Sequence, residues 1–574
     1  MKKNTNLVLI LNVLSSFFLL NTFLFNDIAS ADEPIIIDEK SHDISPSLYD
    51  MPEKSQEVKR TEVRPYAPPQ YEATPPSLTS PIIIDEKSHD ISPSLHNIPE
   101  PSQEVQPYAP PQNESAAPPA FTNPLVTPQP SFKLSSLPIN GFQGVGIGLK
   151  DYQPTVSPPD TNGAAGPTQY VQWINPGFGI FDKKTGKILD GFPKSGSTLF
   201  TGTGGLCETT NRGDGIVKYD QLADRWVITK FAFSDRNVGP FAQCVAVSVT
   251  SDATGPYYRY EFPFDSLNDY GKLGMWPNAY YLTLNMVGPK TWGPRICALN
   301  RQAMLQGQNT SMQCFQLDFL AASALLPGDL DGKTLPPAGT PEYLMGMQKP
   351  NTLKLYTAQI DFNNSKNSKL SGPVTITVDN FTMPCEADAG DNCAPQPNTT
   401  MKLDTMSDRL LNRLAYRQFS DHGSLLATHD ILNPKTNASM IRWYEIRFNN
   451  GSTTPTLYQT GNHSIINNGW GFLGSMAMDK LGNIAIGYSR SSATLFPSIG
   501  VSARLASAPL GKLSISTNVI KGTGSQTTDT RWGDYAGMSI DPVDDCTFWF
   551  TTEYRLANAS SWSTYIASFK LPGC

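Results

Sequence analysis

Beyond Gly141 one unit recurs as far as the C-terminal Cys574, and no other feature of the sequence restricts the fold as much. Each copy begins at an Asp or Asn in a loop, passes through a short strand of small residues, turns tightly, and returns along an aromatic or β-branched strand. The clearer copies are DTNGAAGPTQYVQWIN from Asp160, DGIVKYDQLADRWVITKF from Asp214, DYGKLGMWPNAYYLTLN from Asp269, DRLLNRLAYRQFSDHGSLLATHD from Asp408, NGWGFLGSMAMDKLGNIAIGYS from Asn468 and DYAGMSIDPVDDCTFWFTTEY from Asp534; a weaker one starts at Asp331. Their starts lie roughly 50 to 80 residues apart, which suits four strands and their loops. A third strand follows each unit, as in FGIFDKK, CVAVSVT and YIASFKL, and most units add a fourth. Four antiparallel strands repeated about seven times predict an all-β fold, a β-propeller of seven blades, or of six if the weaker copy is set aside. The small-residue strands would line its crowded channel. A series of β-sandwiches, the competing fold, would need linkers between units, and the sequence has none. Because the last unit stops on its third strand, residues 142–149 are expected to supply the fourth and close the ring.

The chain before this domain reads differently. Lys2 and Lys3, an apolar stretch from Leu7 to Phe25, and the small residues Ala29, Ser30 and Ala31 have the order of a cleavable signal peptide, residues 1–31. Asn12, Ser15, Ser16 and Asn21 interrupt the apolar stretch and argue against a retained anchor. The mature chain is expected to be a secreted, extracellular monomer with no membrane span, released to the medium, the periplasm or the cell surface. Residues 32–138 are rich in Pro, Ser, Glu and Gln, with too little apolar surface to offset the entropy of ordering them. They are expected to form a disordered stalk ahead of a propeller domain over residues 139–574. Inside the stalk PIIIDEKSHDISPSL occurs twice, from Pro34 and from Pro81. We read the pair as a duplicated spacer. The sharper alternative is a bivalent linear motif whose Ile35, Ile36 and Ile37 would add a strand to a partner's sheet edge.

All 8 cysteines lie between Cys207 and Cys574, and in an exported chain they are expected to be oxidised. The topology predicts sequential pairs: Cys207 with Cys244, Cys297 with Cys314, Cys385 with Cys393, and Cys546 with Cys574. Cysteine spacing of the kind zinc requires is missing. A formal charge of -7 with no run of Lys or Arg excludes nucleic acid as a partner. The segments NDYGKLGMWPNAYYLT, RLAYRQFSDHGSLLATH and RWGDYAGMSIDPVDDCTFWFTTEY resemble a group of uncharacterised secreted bacterial proteins with propeller-like repeats. That resemblance covers roughly residues 141–574 and implies bacterial export and a fold, but no activity.

Familiar catalytic signatures are missing: there is no GxSxG elbow, no HExxH and no phosphate-binding glycine loop. No cofactor is implied. Calcium is conceivable at Asp329 and Asp331 or at Glu386, Asp388 and Asp391, but neither cluster has a full ligand set, and we read both as solvated acidic loops. What remains is topological. If every unit starts at an Asp in the loop leading into its innermost strand, then Asp160, Asp214, Asp269, Asp331, Asp408 and Asp534 gather at one mouth of the channel. Arg409, Arg531, Trp470 and Trp532 flank the same loops, and Glu553 and Tyr554 return to that face at the end of a second strand. The bland reading is that each Asp caps its own turn. The functional reading is a binding or adhesion face for a surface glycan or protein. Its alternative is a carbohydrate-active enzyme, a hydrolase or a lyase, with Glu553 and Asp534 as the catalytic carboxyls.

Overall fold

A computed structural model describes residues 80–98 and 137–574, apart from 289–290, 319–323, 387–391, 451, 466–468, 515, 558 and 560. All of them belong to one unit of the chain, residues 42–574. The signal-peptide segment, the first copy of the repeated module, and most of the expected stalk lie outside the described residues.

The fold is all-β with almost no helix. β1 (Ile82–Asp85) and β2 (Ser88–Ile91) come from the second module, and β3 (Asn140–Gln143) from the start of the domain. β4 (Asn162–Ala165), β5 (Gln169–Ile174), β6 (Gly177–Asp182) and β7 (Lys194–Ser195) form an antiparallel sheet in chain order. β8 (Ile216–Asp220), β9 (Arg225–Phe233), β10 (Phe241–Ser248) and β11 (Tyr257–Phe264) form the next, with β2 added outside β11. β12 (Leu267–Met275), β13 (Ala279–Val287), β14 (Gly293–Asn300) and β15 (Ser311–Gln316) follow, with β1 added outside β15. β16 (Leu326–Asp331), β17 (Glu342–Gln348), β18 (Thr352–Gln359) and β19 (Lys369–Thr377) share one eight-stranded sheet with β20 (Leu414–Gln418), β21 (His422–Leu432), β22 (Ser439–Asn449) and β23 (Thr456–His463), joined by parallel pairing of β16 with β20. β24 (Trp470–Met478), β25 (Ile484–Ser492), β26 (Leu495–Arg504) and β27 (Thr517–Ile520) make another sheet. β28 (Gly537–Ile540), β29 (Thr547–Tyr554) and β30 (Ser563–Lys570) make the last, and β3 completes it by pairing with β30.

The strands β4, β8, β12, β16, β20, β24 and β28 each touch the next, and β28 touches β4, so the sheets close into a ring. Small residues on these strands let the backbones approach. A Cβ built on Gly274 of β12 would meet the Gly328 carbonyl oxygen of β16 at 2.2 Å, so only glycine fits there. Apolar layers fill the spaces between adjacent sheets. Trp173, Phe178, Trp226 and Tyr257 pack between the first two, and Val145, Tyr170, Trp549 and Trp562 pack across the seam between the last and the first. Burying each such ring contributes about 1.5–3 kcal/mol. No helix among the described residues is long and apolar enough to cross a membrane.

Three expectations need correction. The strand that completes the last sheet spans Asn140–Gln143, so it starts before the expected 142–149. Asp331 does not lead into an inner strand: it ends β16, with Asp329 two residues earlier on the same strand. Residues 82–98 are not disordered stalk or spacer, because β1 and β2 join sheet edges and Leu95 and Ile98 are buried in the core between the first two sheets. Average composition across the Pro-rich segment concealed a short stretch whose backbone finds ladder partners.

The disulfides are Cys207–Cys244, Cys297–Cys314, Cys385–Cys393 and Cys546–Cys574. The last ties the C-terminus to the residue preceding β29 and closes a loop of 28 residues. Replacing Cys546 and Cys574 together by Ser should lower the unfolding free energy by about 2–4 kcal/mol, read from the midpoint of urea denaturation. An unchanged midpoint would mean that the pairing of β3 with β30 holds that end alone.

Candidate functional site

A shared backbone kink precedes several inner strands. Asp160, Asp214, Tyr270, Ala324 and Leu473 have φ between 45° and 53°. Each stands two residues before the point where its inner strand starts or resumes pairing, at Asn162, Ile216, Lys272, Leu326 and Ser475. In β12 and β24 the kink coincides with a bulge, a device that re-aims side chains. Non-glycine residues in this conformation carry a cost of order 1–3 kcal/mol, and such strain concentrates where a fold positions a site.

A set of charged and aromatic side chains comes together beside three of these kinks, at Asp160, Asp214 and Tyr270. The Asp160 carboxylate accepts hydrogen bonds from Asn175 Nδ2 at 2.6 Å and from the Asp534 backbone N–H at 2.7 Å, so it joins the first sheet to the last. Asn175 Oδ1 in turn accepts from the Asp214 N–H at 2.9 Å. Tyr535 Oη donates to Asp214 at 3.4 Å. Asp269 accepts from the N–H of Tyr270 at 2.8 Å. Lys272, 1% exposed, holds its ammonium 3.0 Å from the ring centre of Tyr270 and 3.9 Å from that of Tyr535. The Arg409 guanidinium lies 4.8 Å from the Tyr270 ring centre and forms a two-pronged pair with Asp408 at 2.6 and 2.9 Å. Arg531 bridges Asp404, at 3.0 Å, and Asp534.

Burial sets the electrostatics of this cluster. It pushes the Asp160 carboxyl well above its ordinary range, and the nearby Asp534 and Asp214 carboxylates add to the effect. Asp269 is raised by the same burial and by Asp214. Lys272 is driven well below the ordinary lysine range by desolvation, against the opposing pull of Asp214 and Asp534. Glu553, also buried, is pushed up to about 8; its Oε1 accepts from the Gly533 N–H, and its Oε2 has no hydrogen-bond partner among the described residues. Protonated carboxyls can donate as well as accept, so the cluster offers both kinds of hydrogen-bonding group to a polar ligand.

A second charged group faces a small cavity lined by β4, β8, β16, β28 and the residues Asn412 and Arg413 ahead of β20. There Lys218 meets Asp329 at 2.6 Å, and Arg413 clamps both Asp329 and Asp331. Burial works against the Asp329 carboxylate, but Arg413 and Lys218 hold it below its usual range. Asp329 and Asp331 are thus paired with cations inside the fold and are not solvated loop residues. Of the other acidic loop, Glu386 pairs with Lys349, and Asp388 and Asp391 lie outside the described residues.

The residues named from sequence divide into two sets. Asp214, Asp534 and Arg409 meet around Lys272, with Asp269 beside Asp214, Arg531 paired to Asp534 and Asp408 held by Arg409. Arg531 and Asp408 keep side-chain exposures of 17% and 21%, and Trp470, at the start of β24, is half-buried. The others are not on a rim. Trp532 is fully buried, donates from Nε1 to Ser489 Oγ at 3.0 Å and packs on Phe472, so it has no face to offer a sugar. Tyr554 is buried and donates to Gln143 Oε1 at 2.7 Å, fastening β29 to β3. Glu553 is 1% exposed, which withdraws it from direct reach of solvent. Sequence reasoning missed Lys272, Tyr270, Tyr535, Asn175 and Asp404. Two signals were available: the dipeptide Asp-Tyr opens two of the repeats, and Lys272 interrupts residues 271–275, which are otherwise small or apolar.

Glu553 gives this cluster a measurable pH dependence. Its carboxyl loses its proton near 4.5 in the unfolded chain and near 8 in the folded one, so its contribution to stability is full below about pH 4.5 and is lost as the pH rises toward 8. Unfolding free energy should fall between about pH 5 and pH 8, and Glu553→Gln should flatten that fall in urea titrations across the range. The same slope in the variant would assign the titration to another group.

No family model matches the chain, and no curated protein matches it. Solved structures similar to it include an α-L-arabinofuranosidase from Podospora anserina in complex with cellotriose, at 11% identity over 53% of this chain and 91% of that one, with a TM-score of 0.23. A Trypanosoma rangeli sialidase matches at 11% identity over 62% of this chain and 54% of its own, with a TM-score of 0.30. A polysaccharide lyase of family PL25, an ulvan lyase, matches at 11% identity over 74% and 82%, with a TM-score of 0.28. Identities and TM-scores this low bear on neither the fold nor the activity of this chain.

Proposed function

We propose that the ring is a seven-bladed β-propeller, the eight-stranded sheet being two blades joined edge to edge, and that it is a secreted binding or adhesion module for a surface glycan. Residues 1–31 direct export and are removed, and the disulfides suit an oxidising compartment. The observation that carries the reading is the convergence on Lys272 of β12 of charged groups from the loops leading into β4, β8, β20 and β28. A shared, polar, aromatic-floored centre is where a sugar would be held. Arg531, Asp408 and Trp470 make the first contacts, and the buried Asp, Lys and Tyr groups form the floor beneath them.

A carbohydrate-active enzyme is the second reading, and one observation favours it: a carboxyl held protonated to about pH 8 at Glu553, beside Asp534, is suited to general-acid chemistry. Its burial puts binding ahead. A glycan array run with the full chain, beside a hydrolase and lyase screen, separates the two. The expected result is glycan binding without turnover, weakened about tenfold by Trp470→Ala in a chain that still melts normally. Turnover abolished by Glu553→Gln would replace binding with catalysis, and an array with no bound glycan would overturn both.

A further inference from the structure

The segment PIIIDEKSHDISPSL at residues 81–95 occurs a second time, letter for letter, at residues 34–48. The seat of the copy at 81–95 is specific. β1 runs along the outer edge of β15 from Ile82 opposite Cys314 to Asp85 opposite Ser311, and β2 along the outer edge of β11 from Ser88 opposite Glu261 to Ile91 opposite Tyr258. One continuous segment therefore covers the edges of two neighbouring sheets, whose N–H and C=O groups would otherwise be open to pairing. Past the strands, the N–H groups of Ser92 and Leu95 donate to the carbonyls of Tyr257 and Thr254 at 2.9 and 2.8 Å. Arg259 Nε donates to Asp90 at 2.8 Å, Lys87 Nζ lies 3.2 Å from Glu261 Oε1, and Leu95 is fully buried.

Every module residue in these contacts has its duplicate: Lys40, Asp43, Ser45 and Leu48 correspond to Lys87, Asp90, Ser92 and Leu95. Beyond the identical stretch the buried Ile98 is matched by Met51, again apolar. We propose that the groove along β15 and β11 is a docking site that residues 34–48 of the same chain occupy in exchange with residues 81–95. Over the duplicated stretch the contacts are identical, so the length of connecting chain biases the choice, while beyond it Tyr49 and Met51 stand in place of His96 and Ile98. From the groove to residue 137 that length is about 40 residues for one copy and about 85 for the other, so loop closure favours residues 81–95 by roughly threefold. One module is always unseated.

Zero-length carbodiimide coupling in the full chain tests this, because the seated copy presents its lysine to Glu261. Wild-type protein should give Lys87–Glu261 and Lys40–Glu261 cross-links in roughly a 3:1 ratio by peptide mass spectrometry. Leu95→Asp, which places a carboxylate in the buried seat, should make Lys40–Glu261 the dominant product, within a chain that still migrates as a monomer. Leu48→Asp should leave only Lys87–Glu261. A Leu95→Asp chain without the Lys40–Glu261 link would overturn the proposal. A link recovered only in cross-linked dimers would also overturn it, making the occupant a second copy of the chain.

Discussion

The innermost strands run side by side around the axis, and among the described residues only β16 and β20 exchange a backbone ladder. Their inward edges are buried, and an unsatisfied buried N–H costs about 1–3 kcal/mol. Side chains of the neighbouring strand take the place of a ladder. Asn162 of β4 accepts from the Val217 N–H of β8 at 2.9 Å and donates to the Gly215 carbonyl at 2.6 Å. Asp329 of β16 accepts from the Met275 N–H of β12 at 3.2 Å, and Ser475 of β24 accepts from the Met538 N–H of β28 at 3.1 Å. Asp160 does the same for Asp534 across the seam. Short polar side chains on small-residue strands are what a closed ring of edges requires.

That requirement concentrates polar groups on the axis and so creates the conditions for a site. The two charged clusters resolve it differently. Around Arg413 the acids and bases are matched by direct ion pairs. Around Lys272 the carboxylates of Asp160, Asp214 and Asp534 crowd a single desolvated ammonium, and the arginines there are shared with Asp404 and Asp408. Burial answers the imbalance by raising carboxyls and lowering the amine, because an excess of like charge cannot be sustained away from water.

The outer edges present the opposite problem, and the N-terminal part of the chain meets it. β3 supplies the last strand of the final sheet, Tyr554 and Gln143 fasten it, and Cys546–Cys574 secures the end beside it. β1 and β2 cover the edges of β15 and β11. A segment that composition assigns to a stalk is in this stretch a strap across two sheets.

The sequence by itself determined the strand-rich repeats, the sequential cysteine partners that the repeats bring together, and the aspartates that lead into β4, β8 and β28, because each is written in local spacing and in turn-forming residues. It carried part of the candidate site: Asp214, Asp269, Asp534, Arg409 and Arg531 could be named from the repeat. Tertiary structure alone decided the rest. Whether an indole such as Trp532 faces solvent or a neighbouring sheet depends on how sheets stack, which strand periodicity does not encode. Lys272 becomes a centre only when carboxylates far apart in sequence close around it. The Ile82–Ile98 strap is ordered only because β11 and β15 present unpaired backbone groups to it, and the partner of an edge strand cannot be read from the strand that joins it.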